Sequence, residues 1–178
     1  MKTALSLAAL ATFCLTSSAV AQNAGAPVAE ALRDLTGRFQ RNLVAAAEEM
    51  PASKYDFKPT PPQMSFRDII GHLADGNDYL CSKIGGMEPP KRPELAKSAA
   101  KDKLVARLKE SFQFCETALA RMDDSKLSGK VPYFGNREIS RAAAVLAVAE
   151  DWGGHYSQMA VYLRLNGLLP PTAKKKQA

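Results

Sequence analysis

Ile139-Ser-Arg-Ala-Ala-Ala-Val-Leu-Ala-Val-Ala-Glu-Asp-Trp-Gly-Gly-His-Tyr-Ser-Gln-Met-Ala-Val-Tyr-Leu-Arg-Leu-Asn166 is the stretch that decides the fold. It contains no proline and reads as one long helix. Gly167 supplies a C-terminal stop and Pro170-Pro171 lie just beyond. Its composition is mostly apolar, so it is expected to be the most buried helix. Gly153-Gly154 sit inside it, and each costs about 1 kcal/mol against alanine in a helix interior. A tight helix crossing is the ordinary reason for such a pair.

Three further helices are legible upstream. Val28, Leu32, Leu35, Phe39 and Leu43 recur every three or four residues, which is one face of a helix, and Pro51 stops it. Ser65 reads as an N-cap, with Asp68 completing a capping box. The helix it opens runs from Phe66 to about Ile84, with Phe66, Ile69, Ile70, Leu73, Leu80 and Ile84 inward and Gly85-Gly86 at its end. A third, over roughly 99–122, carries Leu104, Leu108, Phe112, Cys115 and Leu119, with Val105 beside them. Residues 51–64 hold four prolines and 86–97 hold three, so both read as crossovers. Tyr55 and Phe57 are expected to pin the first one to the core. Residues 123–136 form a third connection. No strand alternation of useful length is present. Four amphipathic helices and long crossover loops give an all-α four-helix bundle.

Composition sets the outer limits. The chain has 178 residues, 46% hydrophobic and 24% charged, with net charge +6 and a pI near 9.3. Such values exclude a disordered chain, and the length allows one core. Met1-Lys2, the apolar run Ala4–Leu15 and Ala19-Val20-Ala21 read as a secretory signal peptide over 1–21, cleaved after Ala21. The run is shorter than the ~20 apolar residues of a membrane anchor. Phe13 occupies the place where a lipoprotein signal needs a small residue. The expected organisation is therefore a leader, a bundle over 22–171 and a basic, disordered, solvated tail over 172–178. Export to the periplasm or beyond follows, with no integral membrane segment after cleavage and no nucleic-acid partner.

Loss of the leader removes Cys14 and leaves Cys81 and Cys115. Two cysteines in an exported chain suggest one disulfide. The alternative is a pair of separate buried thiols. Bridging requires the second and third helices to pack side by side.

Chemistry-bearing residues are few. His72 and His155 are the only histidines, each bordering the apolar face of a helix. Two such residues are commonly hydrogen-bonded core histidines. Asp151 precedes His155 by four residues and so shares its face. With His72 opposite, Asp151 and His155 would make a two-histidine, one-carboxylate set suited to Zn, Ni, Mn or Fe. Asp75, three residues after His72, is a candidate fourth ligand, orienting partner or general base, and Glu150 is a second candidate base. Asp78 is a weaker ligand candidate. Tyr156 and Arg141 are candidates for stabilising an oxyanion.

Several segments together resemble the DinB-like superfamily, also called YfiT-like bundles. They are Ser65–Asp75, Asp151–Arg164, Leu165–Pro171, and Glu49-Met50-Pro51 through Tyr55-Asp56-Phe57. The likeness spans roughly 28–171. It implies a bundle of unusual crossover order that often pairs as a homodimer. It also implies a divalent metal on three histidines, one from the second helix and an H-x-x-x-H pair on the last. His72 matches the first and His155 the last, while Asp151 stands where the middle histidine belongs. Activities implied are thiol-dependent transfer and isomerisation, and metal-dependent hydrolysis. Cytosolic thiols suit an exported protein poorly, so hydrolysis of a small molecule is the leading expectation. A non-catalytic binding module with a degenerate metal site is the alternative.

Overall fold

The computed structural model describes residues 25–174. The expected leader, 1–21, lies outside the described residues. Four helices are present: α1 (Pro27–Glu49), α2 (Phe66–Gly85), α3 (Lys101–Leu119) and α4 (Arg141–Leu165). α1 packs on α3 and α4, and α2 packs on the same two, which sets α1 opposite α2 and α3 opposite α4. This is the expected four-helix bundle. No helix among the described residues is long and apolar enough to cross a membrane.

Local rules account for the ends of the helices. The Ser65 hydroxyl accepts from the Asp68 N–H (3.1 Å), and the Ser65 N–H donates to the Asp68 carboxylate (3.2 Å), so the capping box is closed in both directions. Gly86 ends α2 in the left-handed region at φ 64°, a conformation that costs a side chain steric energy. Ser140 caps α4 by accepting from the Ala143 N–H (3.1 Å). The apolar stripes of α2 and α3 are buried as expected. In α1 the buried face runs through Ala29, Leu32, Thr36, Leu43 and Ala47, which leaves Val28 exposed at the rim.

Three sequence expectations are corrected. A β-hairpin, β1 (Lys130–Tyr133) and β2 (Arg137–Ser140), lies in the connection before α4. Four-residue strands, one holding Pro132, are too short to show alternation, and the turn depends on positive φ at Gly135 and Asn136. α4 is not the most buried helix; α2 is. Leu146, Val161 and Leu165 face outward, because a bundle helix has a solvent side whatever its composition. Nor do Gly153 and Gly154 mark a tight crossing. A Cβ on Gly153 would meet Phe39 at an ordinary 3.7 Å, and one on Gly154 would meet nothing within 4 Å.

The close crossing lies elsewhere. A Cβ on Gly85 would fall 2.8 Å from the Ala118 carbonyl carbon, so glycine lets α2 approach α3. Cys81 and Cys115 join the same two helices by a disulfide, with Cα atoms 5.1 Å apart and both residues fully buried. The crossovers are held by specific bonds. Buried Tyr55 donates its hydroxyl to the Ala47 carbonyl (2.6 Å), and burial pushes that phenol's pKa up. Arg92 spans α2 and α3 through Asp78 (2.6 Å) and Glu110 (2.8 Å). At the C-terminus, residues 171–173 form a 3₁₀ turn, Thr172 bonds to Tyr156, and Lys174 pairs with Glu49. The first three residues of the expected tail thus rest on the bundle. Residues 175–178 lie outside the described residues.

Candidate metal centre

α2 and α4 pack together, and one bond sets their register. The Trp152 indole N–H donates to the Asn77 side-chain oxygen (2.6 Å), and the Asn77 amide donates to the Ser111 hydroxyl (3.0 Å). All three residues are fully buried, so this chain ties α4, α2 and α3 together inside the core. Asp151 immediately precedes Trp152, and His72 lies one turn and a half before Asn77. The staple therefore places His72 opposite Asp151 and His155.

The outcome is a compact donor set. One ligand atom from each of His72, Asp151 and His155 lies within 4.8 Å of the others. Asp151 Oδ1 is 3.4 Å from Nε2 of both histidines, and the two rings stand 4.8 Å apart between centroids. That separation is long for a charge-assisted hydrogen bond. It equals the ~3.4 Å edge expected between two atoms each about 2.1 Å from a tetrahedral zinc. The second Asp151 oxygen, Oδ2, is buried with no hydrogen-bond partner, and such an orphan is costly unless something else satisfies it. Gly76 faces it, where a Cβ would sit 3.7 Å away, so α2 offers that oxygen no polar side chain. Two imidazoles and a carboxylate with one unsatisfied oxygen fit a divalent transition metal.

Exposure is graded across the set. The His72 side chain is 49% exposed, Asp151 22% and His155 17%, so the site opens toward solvent on the His72 side. A cleft of about 570 Å³ borders His72 and Asp75 between α2 and the second crossover. A smaller one, about 360 Å³, borders Glu150, Asp151, Gly154, His155 and Gln158 under Tyr133. The His155 pKa is raised, chiefly by its interaction with Asp151. Burial opposes that rise, and the Asp151 charge and Gln158 reinforce it.

The other candidates fall apart from the donor cluster. Asp75 and Glu150 are exposed on the walls of the two clefts. Asp78 is committed to Arg92. Arg141 is not an oxyanion group, since its guanidinium donates to the Lys83 and Ile84 carbonyls at the end of α2. Ten residues of helix, about 15 Å, separate it from Asp151. Tyr156 is also removed, its hydroxyl donating to Thr172 (2.8 Å). Sequence reading passed over Asn77 and Gln158. Gln158 carried a usable signal, a polar residue three positions after a candidate ligand on the same face.

A profile of the DinB superfamily matches residues 35–159. The chain belongs to the DinB superfamily. A DinB-like protein from Bacillus subtilis superposes with a TM-score of 0.66 at 17% identity, over 83% of this chain and 99% of that one. A DinB-like protein from Bacillus cereus gives 0.64 at 14% identity, over 80% and 95%. A conserved protein from Enterococcus faecalis gives 0.62 at 16%, over 78% and 96%. At these identities the likeness carries the DinB fold alone. Among curated proteins none matches the chain.

Proposed function

We propose that this DinB-superfamily protein is an exported, divalent-metal-dependent enzyme of hydrolytic type acting on a small molecule. The observation that carries this reading is the convergence of His72, Asp151 and His155, with Asp151 Oδ1 3.4 Å from both imidazoles. These residues would hold Zn, Ni, Mn or Fe, which supplies Lewis acidity and acidifies nearby water. Asp75 and Glu150 are the general-base candidates, supported by their positions on the clefts that meet the donor set. Export is supported by the N-terminal pattern and by the buried disulfide, a bond that persists in oxidising compartments.

The test is metal analysis of protein purified without a histidine tag, beside His155→Ala and Asp151→Ala. Stoichiometric metal in the parent and loss in both variants is the expected result. Equal, near-zero metal in all three ends the reading and favours a binding module. If metal is present, hydrolysis of ester and amide panels by Asp75→Asn and Glu150→Gln assigns the base. The correct variant keeps its metal and loses about 10²–10⁴-fold in rate.

A further inference from the structure

Gln158 is oriented from its far end, away from the donor set. The Tyr162 hydroxyl donates its one proton to the Met64 carbonyl (2.8 Å), in the loop that leads into α2. Its oxygen can then only accept, and the Gln158 amide nitrogen stands 3.2 Å away as donor. An amide with its nitrogen turned to Tyr162 presents its oxygen the other way, and Oε1 lies 3.0 Å from His155 Nδ1. A carbonyl oxygen has no proton to give, so Nδ1 carries the hydrogen of that bond. In the neutral ring Nε2 is then an open lone pair. It is the atom that faces Asp151 Oδ1.

We propose that Gln158 is a positioning residue that sets the tautomer of His155, holding the Nε2 lone pair toward Asp151 and His72. The need for such a device is local. A carboxylate 3.4 Å from Nε2 attracts a proton there, and a protonated Nε2 cannot bind an ion. The relay from a backbone carbonyl through Tyr162 and Gln158 opposes that pull by engaging the hydrogen at Nδ1. Its anchor is rigid. Tyr162 is fully buried, with its ring packed against Phe57 and Phe66. The use of the lone pair for a metal rests on the function proposed above, whereas the tautomer itself does not.

Two histidines per chain make the experiment tractable. Two-bond ¹H–¹⁵N correlation of the metal-free protein, recorded at rising pH until the imidazole signals stop moving, reads each tautomer directly. The variants are Gln158→Met, which keeps length without an acceptor, Gln158→Glu, which restores one, and Tyr162→Phe, which keeps the ring and breaks the relay. The parent and Gln158→Glu are expected to show His155 protonated at Nδ1. Gln158→Met shifts the hydrogen to Nε2, and Tyr162→Phe lies between. Zinc affinity, measured by competition with a chromophoric chelator, weakens about tenfold or more in Gln158→Met and not in Gln158→Glu. A parent already protonated at Nε2, or a tautomer indifferent to residue 158, overturns the proposal. Zinc that binds none of these proteins while the tautomer follows residue 158 overturns the metal function and leaves the tautomer assignment standing.

Discussion

His72, Asp151 and His155 are ordinary residues in the sequence and become a site only through the distances between them. The donor atoms are spaced for an ion, and Asp151 is the shared member of both short separations. Asp151→Asn keeps the shape and removes the charge. Its expected effect is a loss of divalent-ion affinity of at least tenfold with little change in melting temperature, measured by calorimetric titration and thermal denaturation. Asn77 predicts a different pattern, in which stability falls together with ion affinity. Replacing it with alanine opens a cavity and leaves the buried Trp152 indole N–H without an acceptor. The cost is roughly 2–4 kcal/mol, or about 5–15 °C in Tm for a domain of this size. Because Asn77 also aligns α2 with α4, ion affinity in that variant falls as well. A variant that melts normally would show that the staple does not set the register.

At the scale of elements, the α2–α3 contact is the most constrained. Gly85 lies against the backbone of Ala118, and the disulfide four residues earlier holds the same helices together. Gly85→Ala therefore cannot be relieved by helix separation and is expected to cost about 1–3 kcal/mol. In the reduced protein the helices can part, so the same substitution costs less. Chemical denaturation of both forms measures the difference, and equal costs would refute the coupling. Ser65→Ala removes one side of the capping box and is expected to cost about 1 kcal/mol. Legibility divides along similar lines. The Ser65 cap, the stripes of α2 and α3 and the Gly86 stop were readable because each depends on residues within a turn or two. The hairpin was not, since four-residue strands carry no period and gain stability from packing between α2 and α4. The stripe of α1 was read correctly at Leu32 and Leu43, whereas Val28 projects at the helix end and Leu35 lies beside the buried face, which Ala29 and Thr36 complete.

For the whole molecule, a long-range covalent link closes the bundle. Cys81 and Cys115 are 34 residues apart, and in the chain-entropy account a loop of that length contributes about 3–4 kcal/mol. Reduction under denaturing conditions, followed by alkylation, is expected to lower Tm by about 6–16 °C relative to the oxidised chain. Ion binding at the proposed site would add a second global term. At a free-ion concentration a hundred times Kd, the folded state gains about 2.7 kcal/mol. Addition of a chelator to loaded protein is therefore expected to lower Tm by roughly 5–11 °C, and to have no effect on His155→Ala. A chelator response retained in that variant would place the stabilising ion elsewhere.

The amino-acid order alone determined the four helices, the Ser65 cap and the bundle class, and it singled out His72, Asp151 and His155 as candidates. These follow from local spacing and from the scarcity of histidine. Only the tertiary structure decided that His72 meets Asp151 and His155, that Cys81 bonds Cys115, that Arg141 is spent on the end of α2 and that Tyr156 is spent on Thr172. It also brought Gln158, Tyr162 and Met64 into one line of hydrogen bonds. The physical reason is register. Spacing places a side chain on a face, but the axial offset between two helices depends on buried contacts such as Trp152 with Asn77, and no local pattern records that offset.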